Sequence, residues 1–131
     1  MGYRKKVLIA EDYPDIRQMT RIMMELIGYD VIEAANGYEA IEQARKNTPD
    51  VILMDIAMPQ LNGITAASMI HQLENCRNTP IIAITAFGRD YLTEAGAYGF
   101  DAVIEKPVDM DELQSVIETR LRHAQRSSSD H

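Results

Sequence analysis

Residues 51–59 read VILMDIAMP. Four apolar residues run straight into a carboxylate, Asp55, and the stretch closes on Met58-Pro59. A short continuous apolar run before turn residues is the pattern of a strand buried on both faces of a parallel sheet. A charge at the end of such a strand needs partners, because an unpaired buried carboxylate is costly. Those partners must come from elsewhere in the chain.

Outward from this strand, strand and helix patterns alternate with short connections. KKVLIAE (5–11) is a compact apolar strand. Pro14 then suits the first turn of a helix. Ile16, Met19, Ile22, Met23, Leu26 and Ile27 recur at helical spacing, which predicts a core-facing stripe, and Gly28 ends it. YDVIEA (29–34) is the second strand. NGYEAIEQARKN (36–47) follows as a helix with Ala40, Ile41 and Ala44 inward, stopped by Pro49. After strand three, Asn62-Gly63 open a helix over ITAASMIHQLEN (64–75), with Ile64, Ala67, Ile70 and Leu73 near the core and His71 toward solvent. Pro80 introduces IIAIT (81–85), the fourth strand. GRDYLTEAGAYG (88–99) reads as a weak fourth helix, DAVIEK (101–106) as strand five, and DMDELQSVIETRLRHA (109–124) as the last helix. That helix turns Leu113, Val116, Ile117 and Leu121 inward. One folded unit over 1–124 is expected, with a mobile polar tail, QRSSSDH, at 125–131.

Five strands alternating with five helices imply an α/β domain with a parallel sheet between two helical layers. For five βα units with right-handed crossovers, the flavodoxin-like strand order 2-1-3-4-5 is expected.

The 131 residues suit one core, with 46% apolar and 25% charged residues. No apolar run reaches the roughly 18 residues of a membrane span, and the N-terminus lacks a secretory cleavage pattern. The lone Cys76 forms no intrachain disulfide and no metal pattern, and is read as a small residue near a helix end. A cytoplasmic location follows as an expectation. The formal charge of −7 argues against general nucleic-acid binding, which needs a basic footprint.

In open α/β sheets, ligands bind beyond the carboxyl ends of the strands, where strand order reverses. For order 2-1-3-4-5 that point lies between strands one and three. Glu11 and Asp12 end the first strand and Asp55 ends the third, so three carboxylates converge. At about 5 Å and an effective dielectric of about 20, each like pair costs about 3 kcal/mol. Such a cluster raises a pKa or recruits a cation. Oxygen ligands without His or Cys suit Mg²⁺. Thr85-Ala86 and Lys106-Pro107 end the neighbouring strands, and Lys106 can offset more of the charge. A metal and a lysine beside carboxylates suit a phosphoryl group.

Together, Glu11-Asp12, Asp55 with Met58-Pro59, Asn62-Gly63, Thr85-Ala86 and Lys106-Pro107 resemble the receiver domain of bacterial two-component response regulators, over about residues 5 to 123. The resemblance implies that Asp55 is the phosphoacceptor, taking a phosphoryl group from a phosphohistidine on a sensor histidine kinase or phosphotransfer protein. It implies that Glu11, Asp12, Asp55 and the backbone carbonyl of Ala57 hold Mg²⁺. Lys106 would pair with one phosphoryl oxygen and Thr85 with another, drawing in the loop after strand four. Output would be protein binding through the face of the fourth helix, fifth strand and fifth helix. The implied module is a signalling switch and not an enzyme, with slow self-dephosphorylation.

Two departures matter. Position 103 is Val where receivers usually carry Tyr or Phe, which leaves the usual aromatic readout in doubt. Ala57 and Phe87 flank the site and cannot orient an attacking water, so a long-lived phosphoryl group is expected. Phe87 is open between loop packing and a partner surface. Tyr91 and Tyr98 are read as surface residues near that face. A stand-alone regulator of chemotaxis or phosphorelay type is the leading reading, and a receiver excised from a hybrid kinase or larger regulator the alternative. A flavodoxin-like cofactor protein would need a Gly/Ser/Thr-rich phosphate loop where EDYPDIR (11–17) stands. A dehalogenase-like phosphatase would need its nucleophile on the first strand.

Overall fold

The computed structural model describes residues 4–86 and 99–129, with side chains to residue 124. Its five parallel strands are β1 (Lys6–Ala10), β2 (Asp30–Ala34), β3 (Val51–Asp55), β4 (Ile81–Thr85) and β5 (Ala102–Glu105), in the order β2-β1-β3-β4-β5. The expected topology is the observed one. Helices α1 (Pro14–Ile27), α2 (Gly37–Asn47) and α3 (Gly63–His71) and a C-terminal helix (Met110–Ser129) cover the sheet. The expected fourth helix, with Phe87, Tyr91 and Tyr98, lies outside the described residues.

Strand alternation sorts the core into two layers. Leu8, Ala10, Ile52 and Met54 face one side, against Ala40 and Ala44 of α2 and Ala66, Ala67 and Ile70 of α3. Val7, Ile9, Val51, Leu53, Ile82 and Ile84 face the other, against Met24, Leu113 and Ile117. Both faces are therefore apolar, which is why β3 and β4 read as unbroken apolar runs and are buried throughout.

The N-terminal edge of the sheet is tied by two carboxylates. Asp50 accepts from the Lys6 N–H at 2.7 Å, and Asp101 accepts from the Ile81 N–H at 2.8 Å. Each satisfies a donor at the start of a neighbouring strand.

Local chemistry fixes the helix ends. Gly28, at φ 117°, takes the left-handed conformation that closes α1. Asn36 accepts from the Glu39 N–H at 2.9 Å while Glu39 accepts from the Ala35 N–H at 3.0 Å, a reciprocal cap. Asn62 accepts from the Thr65 N–H at 2.9 Å and starts α3.

Three expectations are corrected. Ile16, Met19, Ile22 and Leu26 of α1 are exposed; Met23 and Ile27 pack on the core as expected, joined by Met24, which lies outside the expected stripe. The apolar residues form one face broader than the core contact, so periodicity does not select which part of it is buried. Arg17 and Arg21 do, by reaching Glu33 on β2 and turning their own side toward the sheet edge. Second, α3 ends at His71, and a 3₁₀ turn (Glu74–Cys76) follows. Buried Cys76 and the Asn75 amide both reach the Ala44 carbonyl, which pulls the chain off the helix axis. Third, His71 is half-buried, and its Nε2 lies 3.0 Å from the Thr79 carbonyl oxygen.

The C-terminal helix behaves as expected through Leu113, Val116, Ile117 and Leu121, which pack on the core. It runs to Ser129, past Ala124, and no proline or glycine interrupts that stretch.

Candidate functional site

β1 and β3 lie side by side, with Ala10 opposite Met54, so residues 11 and 55 emerge together at the C-terminal edge. Asp55 is the last residue of β3 and is 4% exposed. Its Oδ1 accepts from the Ala57 N–H at 3.1 Å, and its Oδ2 lies 3.2 Å from Lys106 Nζ. Behind it the backbone cannot shift easily. The Gly63 N–H donates to the Ile56 carbonyl at 3.0 Å, and a Cβ on Gly63 would stand 2.9 Å from Ile56 Cα. Glycine at this position lets α3 press directly on the turn that carries Asp55.

Glu11 is buried beside it. Its Oε2 accepts from the Tyr13 N–H at 3.2 Å, and its Oε1 lies 3.5 Å from Lys106 Nζ. Burial, and then the neighbouring Asp55 carboxylate, push the Glu11 carboxyl up to about 7, against the stabilising Tyr13 N–H. Burial pulls the Lys106 ammonium down, but the Asp55 and Glu11 charges outweigh it and hold it above the ordinary lysine value. Asp12 completes the cluster: one oxygen from each of Glu11, Asp12 and Asp55 lies within 4.8 Å of the others.

Asp12 Oδ1 is buried and has no hydrogen-bond partner among the described residues. A buried anionic oxygen without a donor is expensive. Three converging hard oxygens, one of them orphaned, fit a divalent cation of the Mg²⁺ type.

Thr85 is 1% exposed at the end of β4, and its carbonyl accepts from the Lys106 N–H at 2.8 Å. The two residues expected to meet phosphoryl oxygens are thus joined at one sheet edge. The Lys106–Pro107 peptide is cis. Ala57 is exposed in the turn after β3. Val103 pairs with Ala83 and packs with Ile56 and Phe100, as an ordinary β-branched strand residue does. A cavity of about 30 Å³ between Ile16, Asp55 and Lys106 links the crevice to α1.

Sequence reasoning missed the brace behind Glu11. Arg17 Nη1 donates to the Glu11 carbonyl at 2.8 Å, and Arg17 Nε donates to Glu33 at 3.0 Å. Arg21 joins the same carboxylate. Burial opposes it, but the two guanidiniums hold Glu33 below the usual carboxylate range. The available signal was Glu33 itself, an acid inside a short strand, preceded on α1 by two arginines four positions apart, Arg17 and Arg21.

Comparison with known proteins identifies the family. A family profile described as a response regulator receiver domain matches residues 7–118. The polar-differentiation response regulator DivK of Brucella anthropi is 34% identical over 123 residues, covering 92% of this chain and 98% of that protein. The receiver domain of the sensor histidine kinase PA1611 from Pseudomonas aeruginosa, solved with a magnesium ion in its active-site cleft, is 32% identical. It superposes with a TM-score of 0.84 over 91% of this chain and 98% of that one. A CheY-like receiver from Methanospirillum hungatei superposes with a TM-score of 0.86 at 26% identity, over 95% of this chain and 99% of that one. No helix among the described residues is long and apolar enough to cross a membrane. With the strand order, the acidic crevice and the profile match in agreement, the chain belongs to the response regulator receiver domain family.

Proposed function

We propose that the protein is a phosphorylation-dependent signalling switch whose phosphoacceptor is Asp55. The observation that carries this is the setting of Asp55: buried, with one oxygen on the Ala57 N–H and the other facing Lys106. A carboxylate oxygen attacks the phosphorus of a phosphohistidine. An O–P bond forms, the P–N bond breaks, and its electron pair returns to the imidazole. Such transfers depend on positioning and charge stabilisation. Asp55 is positioned by the backbone, and Lys106 supplies fixed positive charge for the phosphoryl oxygens. Thr85 offers a hydroxyl to a second oxygen. Glu11, Asp12, Asp55 and the Ala57 carbonyl would hold Mg²⁺, which when bound neutralises phosphoryl and carboxylate charge.

The donor is a histidine kinase or histidine phosphotransfer protein in the cytoplasm. The exposed row of Ile16, Met19, Ile22 and Leu26 starts at the crevice and offers that donor an apolar track. Phosphorylation then favours a second arrangement of the loop after β4, read by a protein target on the face that includes β5 and the C-terminal helix. The switch is one folded module whose C-terminal helix continues to Ser129. Similarity to the receiver of a sensor kinase keeps a second reading in view, a receiver that works within a hybrid kinase.

The test is transfer from a phosphorylated histidine phosphotransfer protein. The label should move to this chain with Mg²⁺ and stay on the donor in EDTA. Ile22→Glu should slow that transfer and leave phosphorylation by a small phosphodonor unchanged. No transfer from either kind of donor would refute the reading.

A further inference from the structure

A second concavity lies at the opposite edge of the sheet, beyond the N-terminal ends of β4 and β5. It is a half-open hollow of about 470 Å³, within the size range of small-molecule sites. His71, Arg77, Arg120 and His123 line it, with one carboxylate, Asp101, and the ring of Phe100. The protein as a whole carries −7. Two guanidiniums against a single carboxylate are therefore a local reversal of sign.

The Arg77 and Arg120 guanidiniums are not engaged elsewhere among the described residues. Arg4, Arg17, Arg21 and Arg45 each pair with a carboxylate. Arg77 and Arg120 have neither an ion pair nor a hydrogen bond among the described residues. The opposing carboxylate is committed, because Asp101 Oδ2 accepts from the Ile81 N–H at 2.8 Å. His71 is oriented as well. A carbonyl only accepts, so Nε2 carries the hydrogen toward Thr79 O and Nδ1 is left with its lone pair. A Cβ on Gly99 would stand 3.3 Å from that Nδ1, so glycine keeps the cavity wall clear beside the ring, and the imidazole, an acceptor on this side, leaves phosphate binding to the guanidiniums.

We infer that this cavity binds a small organic phosphate. Its phosphate group is held by the Arg77 and Arg120 guanidiniums, whose planar donors match phosphate oxygens in pairs. Its apolar body lies against Phe100 and Pro80, which share the lining. The site is separate from the phosphoacceptor, which stands at the other end of the strands.

Phenyl phosphate is the probe, titrated into the ¹⁵N-labelled protein without Mg²⁺, with inorganic phosphate and anionic phospholipid vesicles in parallel. Saturable amide shifts are expected at residues 71, 77–79, 81, 99–101 and 120–124, with inorganic phosphate weaker at the same positions. The double variant Arg77→Gln, Arg120→Gln should bind about tenfold more weakly or worse, having lost two charge-assisted contacts. Arg77→Lys, Arg120→Lys should keep part of the affinity, and both variants should accept phosphate on Asp55 at the normal rate. Shifts confined to the Lys106 crevice, an unchanged titration in the Gln variant, or binding to vesicles alone would overturn the assignment.

Discussion

The two edges of the sheet use the same residue type in opposite ways. At the N-terminal edge, Asp50 and Asp101 each accept a short hydrogen bond from the backbone of an adjacent strand. At the C-terminal edge, Glu11, Asp12 and Asp55 face one another around one lysine, and an Asp12 oxygen is left without a donor among the described residues. The first set lowers the energy of the fold. The second raises it in the absence of a cation, which is how a site that must accept more negative charge is held ready.

The contrast breaks first at Lys106. Lys106→Met should slow Asp55 phosphorylation by about 100-fold or more, as loss of a preorganised charge does in other transfers. A discontinuous assay with a small phosphodonor measures this. A rate within a few-fold of wild type would remove Lys106 from the chemistry.

Next come the paired edge mutations. Asp101→Ala should cost about 1–3 kcal/mol of stability, by leaving the Ile81 N–H without its acceptor. Phosphorylation of the folded fraction should be unchanged. Asp12→Asn should do the reverse in EDTA, with equal or higher stability and weakened Mg²⁺ binding. Urea unfolding with and without Mg²⁺ separates the two, and parallel losses in both variants would erase the distinction.

The pH dependence sharpens it further. In the folded protein Glu11 holds its proton up to about 7, against 4.5 in the unfolded chain. Folding therefore takes up a proton between those values, so the stability Glu11 contributes is full below 4.5 and is lost as pH rises toward 7. The metal-free protein should lose about 1–3 kcal/mol over that window. Glu11→Gln should flatten the slope, and Mg²⁺ should reverse it near neutrality by favouring the ionised form. A stability rising through this window in EDTA would contradict the account.

The smallest effect concerns lifetime. Ala57 carries no group that orients water, so the phosphorylated protein should decay over minutes or longer. Ala57→Gln should shorten that by about tenfold, the low end of what a positioned polar group contributes. Decay of the wild type within seconds would refute this.

Much of the C-terminal edge was legible in the sequence, because apolar strands announce where they stop. VLIA, VILM and IIAI each end on a polar residue that faces the crevice or its rim. The N-terminal edge was not legible. Asp50 and Asp101 act across 44 and 20 positions on backbone groups, which leave no residue signature. The orientation of α1 was lost for another reason: its apolar face is broader than the core contact, and the part that is buried was chosen by Arg17 and Arg21 reaching Glu33. His71 looked like a surface residue because its partner is a carbonyl in the following loop.

The most direct test is the intact mass of the wild type and of Asp55→Asn after incubation with a small phosphodonor and Mg²⁺. The wild type should gain about 80 Da, one phosphoryl group, and lose the gain in EDTA, while Asp55→Asn gains nothing. The same gain in Asp55→Asn would place the acceptor elsewhere and contradict the account.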